Sequence, residues 1–142
     1  MDNYTIQEIE DEIVNEFEMF TDWSDKYEYI IELGKKLPLI DAKYKTDENK
    51  VLGCQSQVWL HSDLKDGRLI FSADSDAIIT KGLIGLLIRV LSDQKPEEIA
   101  NSKLDFIGKI GMKEHLSSTR ANGLVSMINH MKRIAQKEAN KN

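Results

Sequence analysis

Val51-Leu52-Gly53-Cys54-Gln55-Ser56-Gln57-Val58-Trp59-Leu60 decides how this chain is read. β-branched and apolar residues at both ends mark it as strand-like, and its centre holds the only cysteine of the protein. Arg68-Leu69-Ile70-Phe71-Ser72 is a second strand-like run. Lys65-Asp66-Gly67 lies between them, and Asp-Gly readily supplies the positive φ that a tight hairpin needs. An antiparallel meander is expected, with a short first strand at residues 50–52. Strands this brief need helices packed against them to be stable.

The flanking sequence supplies those helices. Thr5 followed by Glu8 forms a capping box, and Ile6, Ile9, Ile13, Phe17 and Phe20 fall on one helical face. A second helix begins near Asp22, with Trp23, Tyr27, Ile30, Ile31 and Leu37 inward. Pro38 stops it, because the residue before proline is pushed out of the helical region. Residues 39–49 are polar, without a period, and read as a loop. Asp74-Ser75-Asp76 reads as the cap of a third helix, residues 77–91, that is apolar nearly all round and so buried on most sides. Gly82 and Gly85 cost helix propensity there, which implies the close approach of another element. Pro96 opens a short helix, residues 106–110 form another that Gly111 ends, and a last helix starts at Ser117 or Ser118. It turns Leu124, Ile128, Met131 and Ala135 inward and frays over residues 136–142. With no internal repeat, low-complexity tract or linker, residues 1–142 read as a single domain.

Composition removes several function classes. Of 142 residues, 41% are apolar and 30% charged, as in ordinary soluble domains. The formal charge of −5 argues against a nucleic-acid surface, which needs a basic footprint. One cysteine cannot form an internal disulfide. The N-terminal residues lack the pattern of a signal peptide. Residues 77–91, interrupted by Lys81 and Arg89, are too short for a membrane span, which takes roughly 20 residues. A cytoplasmic protein is expected. His61, His115 and His130 have no ligand spacing, so no metal site is expected. A cluster on this chain alone would lack thiolates. There is no glycine-rich phosphate loop and no nucleotide fingerprint.

Cys54 is therefore the one residue that points to chemistry. Free cysteine is often a small, inert core residue. Here Gly53 frees the backbone, while Gln55, Ser56 and Gln57 each need partners if buried. That setting favours a thiol reachable from outside, with nucleophilic sulfur chemistry. No cation flanks it closely except Lys50, and no second cysteine is present to resolve an intermediate. A peroxide-type sensor, a sulfur carrier and an inert thiol all remain open on these grounds.

The chain resembles the SufE-type sulfur acceptors, partners of cysteine desulfurases in iron–sulfur cluster assembly. Four blocks carry the resemblance: residues 27–38 (YEYIIELGKKLP), 53–60 (GCQSQVWL), 73–87 (ADSDAIITKGLIGLL) and 115–128 (HLSSTRANGLVSMI). Family members often carry a proline just after the Leu-Ser step, where this chain has Ser118. Residues 97–112 match least. The resemblance implies a two-layer α+β fold of the SufE/NifU-like kind, a three-stranded antiparallel sheet packed against several helices.

It also implies that Cys54 accepts persulfide sulfur from a SufS-like, pyridoxal-phosphate cysteine desulfurase, stimulates it, and passes the sulfur to a cluster-assembly scaffold. Such a protein is an activator and carrier rather than a stand-alone enzyme. The pyridoxal phosphate would belong to the desulfurase, so this chain needs no cofactor of its own. Gly53 would act as hinge, neutral Gln55 and Gln57 would desolvate at lower cost than charges, and Ser56 belongs to the same supporting set. Asp74 and Arg120 also fall in the matching blocks. Asp74 reads as a cap, and Arg120 as either a first-turn charge or a guanidinium that stabilises the thiolate. Homodimerisation is left open. The competing reading is a non-covalent regulatory module in which Cys54 is structural.

Overall fold

Asp66 and Gly67 both hold positive φ, 53° and 79°, the pair of conformations that a two-residue hairpin of type I′ requires. That turn sets the register of the hairpin at the centre of the molecule. The computed structural model of the protein describes residues 4–54 and 56–141. Strand β1 (Val58–Lys65) pairs antiparallel with β2 (Arg68–Ser75), from Lys65 opposite Arg68 to Val58 opposite Ser75. Val58 and Leu60 of β1 and Leu69, Phe71 and Ala73 of β2 turn one face of the pair into the core, the alternation that a half-buried sheet demands.

The sheet has two strands among the described residues, not three. Lys50 meets Trp59 in a single bridge, and Val51 N–H donates to the Val58 carbonyl at 2.9 Å. Gly53, at φ 91°, then turns the chain away before a further pair forms. On the β2 edge, Leu39 forms a parallel bridge with Ala73. Pro38 precedes it and has no N–H to extend the ladder. Residues 39–49, expected to be irregular, contain two 3₁₀ turns, Ala42–Tyr44 and Asp47–Asn49.

Seven helices among the described residues surround the hairpin. Helix α1 (Ile6–Glu18) starts at the expected capping box of Thr5 and Glu8. Helix α2 (Trp23–Lys35) is capped by Asp22, whose carboxylate accepts the Asp25 N–H at 2.9 Å. The central helix α3 (Ile78–Leu91) buries nine residues. It crosses α2 at small residues, as its glycines foretold. A Cβ on Gly34 would lie 2.8 Å from Gly82 N, and one on Gly85 would lie 3.1 Å from the Leu33 carbonyl. Gly82 itself faces the Ile30 backbone with no room for a side chain.

Helices α4 (Pro96–Asn101), α5 (Phe106–Lys109) and α6 (Met112–His115) are short, and the sequence pattern does not foretell α6. Helix α7 (Ser118–Ala139) is capped by Ser117. It continues through Ala139 instead of fraying from Gln136. Leu124, Met131 and Ala135 are buried as expected, and Met127 joins them while Ile128 is half-buried. No helix among the described residues is long and apolar enough to cross a membrane.

The cap expected from Asp74-Ser75-Asp76 is corrected. Asp74 and Ser75 complete β2, and α3 is capped at Ala77 without a side-chain hydrogen bond to its first turn. Hairpin pairing extends to Val58 opposite Ser75, so both residues are held extended. Their side chains go elsewhere. Asp74 forms ion pairs with Lys45 at 2.6 Å and Lys81 at 3.4 Å and accepts the Ser75 N–H at 2.8 Å.

Candidate functional site

Residues 52–57 leave the Lys50–Trp59 bridge, turn at Gly53 and re-enter the sheet at Val58. Cys54 sits in this loop between the start of α3 and the first half of α7. Its Sγ donates to the Gly123 carbonyl at 3.6 Å, and a Cβ on Gly123 would lie 3.5 Å from that sulfur. Gly123 is thus the small residue that lets the loop lie against α7. At Gly53 the same helix leaves no space, because a Cβ there would collide with the Ser126 hydroxyl. The positive φ favours glycine here, and a side chain would also have to push the Ser126 hydroxyl aside.

The thiol is half-buried and borders an open cavity of about 330 Å³. Leu83, Leu124 and Met127 form its apolar wall, and Ser56, Thr80, Asp76 and Arg120 supply its polar groups. Burial pushes the Cys54 thiol above its ordinary pKa, since a thiolate is disfavoured away from water. The Gly123 carbonyl acts in the same sense, because it can only accept and so suits S–H rather than S⁻. At rest Cys54 is a neutral thiol, sheltered and weakly nucleophilic.

The loop is held shut at two points. At one, Gln57 N–H donates to the Asp76 carboxylate at 3.0 Å and Asp76 N–H donates back to the Gln57 carbonyl at 3.3 Å; at the other, Ser56 Oγ lies 3.2 Å from Thr80 Oγ1. Both points tie the loop to α3 and the residues that lead into it. Among the residues singled out from the sequence, Gly53, Cys54, Ser56, Gln57 and Arg120 come together here. Gln55 lies outside the described residues.

Arg120 is exposed on the first turn of α7 and borders the cavity. Asp74 does not line it. Burial raises the Asp74 carboxyl, but the ion pair with Lys45, the Ser75 N–H and Lys81 outweigh this and hold it below the usual range. Its role is to tie residue 45 and α3 to β2. Thr80, Gly123 and Ser126 were missed as site residues. A glycine inside a helix signals close approach, and that reasoning, applied to Gly82 and Gly85, would have found Gly123 as well. Among the described residues no three His, Cys, Asp or Glu side chains gather as a metal site would require.

The family model for SufE, described as an Fe–S metabolism associated domain, matches residues 11–135. The chain belongs to the SufE family. A SufE-like protein of Rhizobium meliloti is 47% identical over 131 residues, which cover 89% of this chain and 94% of that one. A chloroplastic/mitochondrial SufE-like protein of Arabidopsis thaliana is 40% identical over 87% of this chain, but the match spans only 34% of that longer protein. The solution structure of a hypothetical protein from Thermus thermophilus superimposes with a TM-score of 0.78 at 19% identity, covering 93% of this chain and 96% of that one. At that identity the likeness is one of fold, and it agrees with the α+β architecture described above. As a SufE-family member, the protein has a role in Fe–S metabolism.

Proposed function

We propose that this SufE-family protein is a sulfur carrier that takes persulfide sulfur from a cysteine desulfurase onto Cys54 and passes it to an Fe–S assembly scaffold. The observation that carries the reading is the setting of the single cysteine: a neutral thiol on a loop that turns at Gly53, docked over a cavity with an apolar wall. A carrier has opposing needs. At rest its sulfur must be kept from solvent thiols, and during transfer it must reach into another protein. Three hydrogen bonds and one thiol contact hold the loop closed, few enough for a docking partner to exchange for its own.

The transfer conserves atoms and electrons. Cys54 loses its proton to solvent or to a base of the partner, and its thiolate attacks the outer sulfur of the donor persulfide. A new S–S bond forms on Cys54 as the donor's S–S bond breaks. The donor cysteine leaves with the electron pair and is reprotonated, so no external oxidant or reductant is consumed. The pyridoxal phosphate that generates the donor persulfide belongs to the desulfurase in this reading. The cytoplasmic placement expected from the sequence is part of the same proposal.

Adding the protein to a cysteine desulfurase supplied with cysteine and a thiol reductant is expected to raise sulfide release. Cys54→Ser is expected to abolish that increase. Equal stimulation by the serine variant would reduce the protein to a non-covalent regulator.

A further inference from the structure

We propose that the Ser56–Thr80 hydroxyl pair is the hydrogen-bond donor site that holds the outer sulfur of a Cys54 persulfide, an inference that rests on the carrier reading above. A persulfide is mostly anionic near neutrality, and its charge sits on the outer sulfur. That sulfur is turned away from Gly123, whose carbonyl accepts the S–H of the resting thiol at 3.6 Å and would repel an anion. The space left to it is the cavity of about 330 Å³ beside Cys54. Of the other groups that line it, Leu83, Leu124 and Met127 offer the anion nothing and the Asp76 carboxylate would repel it, while Thr119 and Arg120 are exposed on the first turn of α7; a charge among the apolar side chains needs a donor buried with it.

The hydroxyls of Ser56 and Thr80 face the same cavity, 3.2 Å apart. Thr80 is only 9% exposed. One hydrogen bond between two hydroxyls uses one O–H, and the other has no acceptor among the described residues. That second O–H is available to the sulfur. Because either residue can give or take the shared bond, each hydroxyl can stand in for the other as donor. The pair also links two states of the loop. Ser56 moves with Cys54 while Thr80 stays on α3, so opening the loop removes both the shelter and one donor.

The test loads Cys54 from inorganic polysulfide, so that it does not depend on a desulfurase. The Cys54 thiolate attacks a terminal sulfur of the hydropolysulfide, and the shortened polysulfide leaves with the electron pair. Alkylation of the persulfide by iodoacetamide is then followed against pH by intact mass. Donation to a charged acceptor is worth about one pH unit or more. The Ser56→Ala/Thr80→Val variant should therefore titrate about one unit higher than the parent. Restoring a hydroxyl with Thr80→Ser in the Ser56→Ala background should bring the midpoint back down. Ser56→Ala alone, a change confined to the loop, should shift it less and in the same direction.

The unloaded thiol, bonded to Gly123 instead, should not rise with the persulfide; any loosening of the loop by these variants would lower it, because burial is what raises it. A merely structural role would move the thiol and persulfide midpoints together, and that result, or unchanged persulfide midpoints throughout, overturns the proposal. Failure of a desulfurase to load Cys54 would instead strike the carrier reading, because the polysulfide arm is independent of it.

Discussion

Cys54 shows how a reactive group is kept quiet by its surroundings. Burial raises its pKa, and the sign of the consequence is fixed. The neutral thiol is favoured, so thiolate accumulates only at a pH above that of an ordinary cysteine. Alkylation of the folded protein by iodoacetamide should rise with pH to a midpoint above that of a free thiol, and urea should bring the midpoint down to the ordinary value. A folded-state midpoint below the ordinary value would mean that a cation, such as Arg120 on the cavity rim, already activates the sulfur. The linkage to stability follows the same sign. Since the folded state binds the thiol proton more tightly, Cys54 costs no stability at low pH, and stability declines as pH rises from the unfolded thiol's pKa towards the folded one.

The loop and the helices that hold it behave differently under mutation. Asp76 anchors the loop through the Gln57 N–H at 3.0 Å, at the exposed rim, where little core packing depends on it. Asp76→Ala should speed alkylation of Cys54 several-fold, since a lost hydrogen bond to a charged group of about 1.5 kcal/mol is roughly tenfold in an opening equilibrium. The melting temperature should barely change; a variant that unfolds earlier without exposing the thiol would place Asp76 in the scaffold instead. Gly82→Ala is the opposite case. Its new methyl meets the Ile30 backbone where α2 and α3 cross, and overpacking of this kind costs about 1–3 kcal/mol. A urea midpoint equal to that of the parent would show that the helices can separate at no cost.

These elements also show what was legible in the sequence. The hairpin, the capping box and the α2–α3 crossing are written in local chemistry: Asp66-Gly67, Thr5 with Glu8, and glycines inside an apolar helix. Asp74 and Asp76 were misread as caps because an acidic residue before an apolar run is ambiguous. Only the pairing of Val58 with Ser75 shows that the strand continues to that point. The third strand failed for a related reason. Residues 50–51 have the composition of a strand, but the positive φ of Gly53 is a tertiary commitment that ends the pairing after one bridge. The contact of Cys54 with Gly123, across 69 residues of sequence, has no local signature beyond the glycine itself.

Taken whole, the molecule is a packed frame that carries its one cysteine on a loop docked between α3 and α7. The loop that feeds β1, α3 and α7 meet around the cavity, and each contributes to it: the loop brings Cys54 and Ser56, α3 brings Thr80 and Leu83, and α7 brings Gly123 and Arg120. The core beneath them is continuous, so opening the loop need not disturb it. The most direct measurement is the intact mass of the protein after anaerobic incubation with a cysteine desulfurase and cysteine. The account predicts a species heavier by a sulfur atom, lost on treatment with reductant and absent from Cys54→Ser. A parent protein that stays unmodified while the desulfurase turns over and its sulfide release is stimulated would contradict it.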